Sequence, residues 1–165
     1  MTPPPDPAEF RRVVGRFPTG VTVVTTVADG VPHAMTMSAF TSVSLDPLLV
    51  LFCAEKKARF HDTVLAQDTW AVSILGEGSQ DASAWFATRG RPLEGQLDPW
   101  AHHPGAVTGA PILDAAIGAL ECRTHAVHDG GDHSIVLGEV LAVSAPAEGE
   151  PLLYAGGAYR TLHPR

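Results

Sequence analysis

Hydroxyl side chains crowd one stretch of the chain, Met35 to Phe52, which reads MTMSAFTSVSLDPLLVLF and carries Thr36, Ser38, Thr41, Ser42 and Ser44. Small residues let a flat ligand approach the backbone, and the hydroxyls offer both donors and acceptors. That surface suits a planar heteroaromatic cofactor, although an ordinary β-strand with a Ser/Thr-rich solvent face has the same composition. A second stretch, Glu55-Lys56-Lys57-Ala58-Arg59, sets three cations at a strand-to-helix junction. There backbone N–H groups, the helix dipole and side-chain charge act together on an anion; a solvated basic turn is the plainer reading. A third, HDGGDH, holds His128, Asp132 and His133 in one turn. It lacks the helical spacing and third ligand of a zinc centre, so no metal is expected.

Other chemistries find little support. Cys53 lies in an apolar run, where burial raises a thiol pKa and suppresses the nucleophilic thiolate. No GxSxG elbow is present, and no GxGxxG opens a βαβ unit, which removes α/β-hydrolase and Rossmann readings. Trp100, His102 and His103 suit a pocket edge, and the two histidines read as a solvated pair.

These residues must be held by an architecture rich in strands. Asp6-Pro7-Ala8-Glu9 has the form of a capped helix start, and Phe10, Val13, Val14 and Phe17 then recur at helical spacing, predicting one buried face. Pro18 ends that helix. VTVVTTVA reads as a β-branched strand turning at Asp29-Gly30 into a return strand, Val31 to Ala39. The run Leu48 to Cys53 is nearly continuous in apolar residues, which predicts burial on both faces, by the core or by a subunit interface. A helix from Arg59 to Leu65, a strand from Thr69 to Leu75 and a helix from Ser79 to Thr88 follow, the last capped by Ser79 with Trp85 and Phe86 inward. Residues 89 to 111 read as a long loop. Two long strands, Ala119 to Val127 and Ser134 to Val143, flank HDGGDH, and a short strand at Leu152 to Tyr154 leads into the tail AGGAYR.

The chain has 165 residues, 45% of them apolar and 18% charged, which predicts a single packed domain over 1–165 behind a flexible arm of prolines at 1–5. A net charge of -7 without a basic run argues against nucleic acid as a partner. Two lone cysteines, no apolar leader and no run of about 20 apolar residues predict a cytoplasmic protein with no membrane span.

Six segments in order, FRRVVGRFPTGVTVVTT, MTMSAFTSVSLDPLLVLF, EKKARF, WAVSILGEGSQDASAWFA, HDGGDHSIVLGEV and PLLYAGGAYR, resemble the short flavin reductases of two-component monooxygenases over nearly the whole chain. The resemblance implies a mainly β protein with short helices, the FMN-binding split β-barrel, acting as a homodimer. It implies that hydride passes from NADH or NADPH to FMN or FAD, and that reduced flavin leaves for a separate flavin-dependent monooxygenase. Carried over by position, Thr36, Met37, Ser38 and Ala39 lie against the flavin ring and ribityl chain with Ser42 nearby, and Cys53 and Ala54 continue that wall. Lys57, Ala58 and Arg59 face the phosphate end, followed by Phe60. His133 is the catalytic candidate at the nicotinamide position, with Tyr159 closing the same region. One departure is Ala58 and Phe60 where the family often has serine or threonine. Two other uses of such a fold are a flavin- or heme-binding protein without turnover and a pyridoxamine-phosphate-oxidase-like enzyme.

Overall fold

Threonine makes the first strands unusual. In β2 (Thr22–Ala28), which follows helix α1 (Pro7–Val14) and the short β1 (Thr19–Gly20), Thr22, Thr25 and Thr26 are buried among valines. Each hydroxyl is satisfied by donating to a carbonyl, of Met37 at 2.9 Å, Pro111 at 2.5 Å and Thr69 at 2.8 Å. Buried hydroxyls are tolerated on those terms. Burial on both faces follows from the strand's place between two apolar clusters. Val24 joins Phe52, Trp70, Val72 and Val136 on one side, while Val23 joins Leu75, Phe86, Leu113 and Leu152 on the other.

The computed structural model describes residues 3–162; of the arm expected at 1–5, residues 1 and 2 lie outside that range. After β2 the chain runs through β3 (Val31–Met37), β4 (Phe40–Leu45), β5 (Leu48–Glu55), α2 (Arg59–Ala66), β6 (Thr69–Leu75), α3 (Gln80–Ala87), β7 (His102–Pro104) and β8 (Pro111–Leu113). It closes with the long hairpin β9 (Ala116–Gly130) and β10 (His133–Ser144), then β11 (Leu153–Ala155) and β12 (Ala158–Arg160). The fold is mainly β with short helices, as the sequence predicts. A seven-stranded antiparallel sheet has the order β3-β2-β6-β9-β10-β5-β4. Its edges meet at the corner after β3, where the Cys53 N–H donates to the Ala39 carbonyl at 3.0 Å, and the sheet curls around the Phe52–Trp70 pair, edge to face at 4.8 Å.

Turn chemistry places the hairpins. Asp29 and Gly30 take φ of 51° and 76° between β2 and β3, and Gly131 takes 79° in the two-residue turn that joins β9 to β10. Positive φ at these positions is why Asp-Gly and Gly-Asp stand there.

Three expectations change. The predicted apolar helix face is not buried within the chain: α1 ends at Val14 rather than at Pro18, and Phe10, Val13, Val14 and, beyond the helix, Phe17 are each at least half exposed, Phe17 at 75%. Amphipathicity states that a face needs cover and does not say which molecule covers it. In β5, burial alternates, with Val50, Phe52 and Ala54 inside and Leu49, Leu51 and Cys53 half-buried on the outer face. The loop expected over residues 89 to 111 is also more ordered, its end forming the β7–β8 ribbon. Behind that ribbon the Glu121 carboxylate is buried and accepts from the N–H groups of Val107 (2.9 Å) and Thr108 (2.6 Å) and from the Thr108 hydroxyl (2.8 Å). Burial alone would raise its pKa, but these hydrogen bonds outweigh that and hold it below the usual carboxylate range.

Among the described residues no helix is long and apolar enough to cross a membrane.

Candidate functional site

At the end of β5 the chain turns through Lys56 and Lys57 into α2, and this junction forms one wall of an open cavity of about 460 Å³. Ala58 occupies the N-cap position, and no side chain caps the helix. The N–H of His61 reaches the Ala58 carbonyl at 3.0 Å, while those of Arg59 and Phe60 meet no acceptor among the described residues. Free N–H groups at a helix start are an anion site in waiting. Alanine at the cap, the departure from the family pattern, offers the Phe60 N–H no side-chain acceptor.

The opposite wall comes from residues that sequence reasoning missed. Gln96 is 2% exposed, and its amide donates to the carbonyls of Pro32 (2.9 Å) and Leu93 (3.1 Å). The Trp85 indole N–H donates to the Gln96 carbonyl at 2.8 Å. So fastened, the loop after α3 turns Arg91 inward, where its guanidinium donates to the Ala34 and Thr88 carbonyls and to Gln96 Oε1 and lies 5.8 Å from the Phe86 ring centre. Arg59 donates to the Arg91 carbonyl at 3.1 Å. Among the described residues no carboxylate pairs with Arg59 or Arg91; the one acid on the wall, Glu55, is taken by Arg89 at 2.5 Å. Like charges therefore crowd. Burial and then the charge of Arg59 push Arg91 down from its ordinary value, and the same two causes in the same order hold His33 below the usual histidine range against an opposing pull from Asp29. A cavity that keeps unpaired guanidinium groups side by side is built for a ligand carrying negative charge. The Arg-Gly-Arg sequence at 89–91 is the one trace of this in the primary structure, and it says nothing of direction.

All but two of the predicted site residues fall into three groups. Thr36, Lys57, Ala58, Arg59 and Phe60 line this cavity. Ser38, Ala39, Cys53 and His133 lie on the adjoining outer face: Ser38 and Ala39 are exposed at the corner, Cys53 precedes Glu55 by two on β5, and His133 is the direct cross-strand partner of Glu55. Directly opposed residues share a face, so His133 stands beside the cavity rim. Its Nδ1 shares a hydrogen bond with Asp132 at 2.7 Å, leaving Nε2 without a protein partner among the described residues. Met37 and Ala54 have buried side chains in the barrel core, so only their backbone reaches this surface.

Two residues stand apart. Ser42 is exposed further along β4, opposite Val50. Tyr159 lines a separate, shallower cavity with Glu77, Gln80 and Arg160, its hydroxyl 2.8 Å from Ser83 Oγ. A link to the main cavity survives through the backbone, because the Thr36 hydroxyl donates to the Ser83 carbonyl at 2.7 Å. Trp100 packs on Phe86 with ring centres 6.3 Å apart rather than lining the main cavity, and His103 pairs with Asp114 at 2.6 Å on the surface. Burial raises the Cys53 thiol, which keeps it protonated.

The site is thus a cationic, helix-ended cavity on a curled antiparallel sheet, beside a histidine turn. The chain belongs to the family of the flavin reductase like domain, whose model matches residues 14–163. It is 43% identical to an NADH-dependent FAD reductase of Streptomyces globisporus over 99% of this chain and 90% of that one. It is 38% identical to HsaB, the reductase subunit of a flavin-dependent monooxygenase of Rhodococcus jostii, over 96% and 80%. Among solved structures, an NADH:FAD oxidoreductase of Streptomyces globisporus in complex with NAD and FAD fragments superposes with a TM-score of 0.91 at 41% identity, covering 99% and 97% of the two chains. BorF, the flavin reductase component of a bacterial two-component tryptophan halogenase, gives 0.90 at 40% identity over 97% and 100%.

Proposed function

We infer that this protein is an NADH-dependent flavin reductase that passes hydride from a nicotinamide dinucleotide to FMN or FAD and supplies the reduced flavin to a separate flavin-dependent monooxygenase. The observation that carries this reading is the cavity in which the uncapped start of α2, Lys57, Arg59 and Arg91 converge without a neutralising acid. Those groups fit a flavin phosphate, and the relatives' names supply the redox partner.

A flavin, when bound, supplies the ring that accepts hydride and later gives up its electrons. The chain's part is to bind, orient and exclude. Lys57, Arg59 and the free N–H groups of α2 hold the phosphate end. Thr36, Ser38 and Ala39, with Cys53 and the backbone at Met37 and Ala54, form the small-residue wall along which the rest of the ligand lies. His133, its ring set by Asp132, presents Nε2 toward the nicotinamide. Positioning of two reactants is worth several powers of ten in rate without any acid–base residue.

Steady-state oxidation of NADH and of NADPH, each crossed with FMN and FAD, tests the reading; no turnover above background in any of the four would leave a flavin- or heme-binding protein. In the same assay His133→Ala should raise the NADH KM about tenfold while changing FMN affinity by less than about twofold, the pattern of a lost contact to one substrate. An unaltered NADH KM would remove His133 from the site.

The reading extends to a homodimer of single-domain chains, 1–165. The apolar side of α1 (Phe10, Val13, Val14), Phe17 just beyond it and the β4–β5 hairpin (Val43, Leu45, Leu48) are exposed, Leu45 at 86%. Apolar surface of this kind marks interaction sites, and a second copy would cover it; sedimentation at micromolar concentration should give the mass of two chains. Free Cys53 and Cys122, the latter pushed up to about 12 chiefly by burial, suit a cytoplasmic setting.

A further inference from the structure

His61 has no part in the site described above, yet it spends both ring nitrogens inside the protein. The side chain is buried on the third residue of α2, with Nδ1 2.7 Å from the Asp62 carboxylate at the surface and Nε2 2.8 Å from Ser134 Oγ. Ser134 is itself buried, on β10 directly after His133. A hydrogen bond between two buried polar side chains adds little net stability compared with an apolar pair. What it adds is direction, because a hydrogen bond constrains angle where an apolar contact does not.

Helix α2 has need of such a constraint. It is eight residues long, and its other buried side chains, Phe60 and Val64, grip the core by apolar contact alone. Among the described residues the His61–Ser134 bond is the one polar side-chain contact between α2 and the sheet. The same hairpin holds the chain just before the helix. The Lys56 N–H donates to the Asp132 carbonyl at 2.9 Å, and Lys56 Nζ pairs with Asp129 at 2.5 Å. Lys57 to Phe60 are thus bracketed, at Lys56 on one side and His61 on the other, by residues 129–134 of the hairpin that also carries His133.

We propose that His61 is a positioning residue whose hydrogen bond to Ser134 sets the rotation of α2 and so aims the Lys57–Phe60 segment at the phosphate of a bound flavin. The inference rests on the reading of that segment as the phosphate site. Because one hairpin tip holds the bracket and His133 together, the same bond keeps the phosphate segment in register with the nicotinamide side.

Riboflavin, which is FMN without its phosphate, separates this role from a general one. Wild type, His61→Leu, His61→Gln and Ser134→Ala are assayed with FMN and with riboflavin at saturating NADH. Expected is an FMN KM raised about tenfold in His61→Leu and in Ser134→Ala, about the weight of one lost hydrogen bond and its alignment, with the riboflavin KM within about twofold of wild type. Glutamine can reach Ser134 from the same helix position, so His61→Gln should restore the FMN KM to within about threefold. Ser134→Ala removes a single buried oxygen and carries the test should His61→Leu fold poorly. Equal losses with both flavins in both variants would make the bond merely structural and overturn the proposal, as would an FMN KM that does not move. A wild-type enzyme indifferent to the phosphate would instead bring down the phosphate site itself, and the proposal with it.

Discussion

Arg59→Met raises the KM for FMN by about ten- to hundredfold and leaves riboflavin turnover nearly unchanged; this is the expected result of removing a cation that lines the cavity without a carboxylate partner. A charge-assisted hydrogen bond to a phosphate is worth about 1.5–3 kcal/mol, which converts to that range. The substitution is clean in structural terms. Arg59 is exposed, makes one hydrogen bond to the Arg91 carbonyl, and has no carboxylate partner to strand. Its methionine replacement keeps helix propensity and bulk. A second readout is independent of flavin. Because the charge of Arg59 helps to hold His33 below the usual histidine range, the His33 pKa, followed by NMR, should rise in the variant. An FMN KM unmoved by Arg59→Met would assign the cavity to some other ligand.

The largest expected effect on stability is at Gly138. In β10 this residue lies under the Trp70 indole, and a Cβ added there would overlap the ring. Trp70 cannot give way. It is fully buried, stacked edge to face on Phe52, and its indole N–H donates to the Thr124 hydroxyl at 3.1 Å. Relief would have to come from the backbone of a central strand paired on both sides, to β5 and to β9. Gly138→Ala should therefore cost about 3 kcal/mol or more, at the upper end for overpacking, as measured by urea denaturation. Gly20→Ala is the control, since a Cβ at Gly20 meets nothing within 4 Å; it should stay within about 0.5 kcal/mol of wild type. Comparable stability in the two variants would mean that the barrel interior repacks far more easily than its density implies.

Gly138 also shows what kind of information a sequence withholds. Nothing in SIVLGEV separates a glycine that gives a tryptophan room from one that merely weakens a strand. The elements themselves were legible, because their signals are local. β-Branched alternation, Asp29-Gly30 and the turn after HDG each act within a few residues. The strand at Thr69 to Leu75 has the predicted bounds, and α2 extends one residue beyond its predicted end. The cations at 56–59 were equally visible, since a strand-to-helix junction is itself a local event.

What the sequence alone determined, then, is the order of strands and helices, the cationic junction and, through six ordered segments, the resemblance to flavin reductases. The tertiary structure decided which side chains meet. His33, Arg59 and the Arg91–Gln96 loop are far apart along the chain and converge because β3, α2 and the loop after α3 are packed around one cavity. It also decided that His61 grips Ser134, 73 residues away, and that the apolar face of α1 looks outward. Hydrogen bonds and charge act over a few ångströms of space, and only the folded sheet converts separation along the chain into that distance.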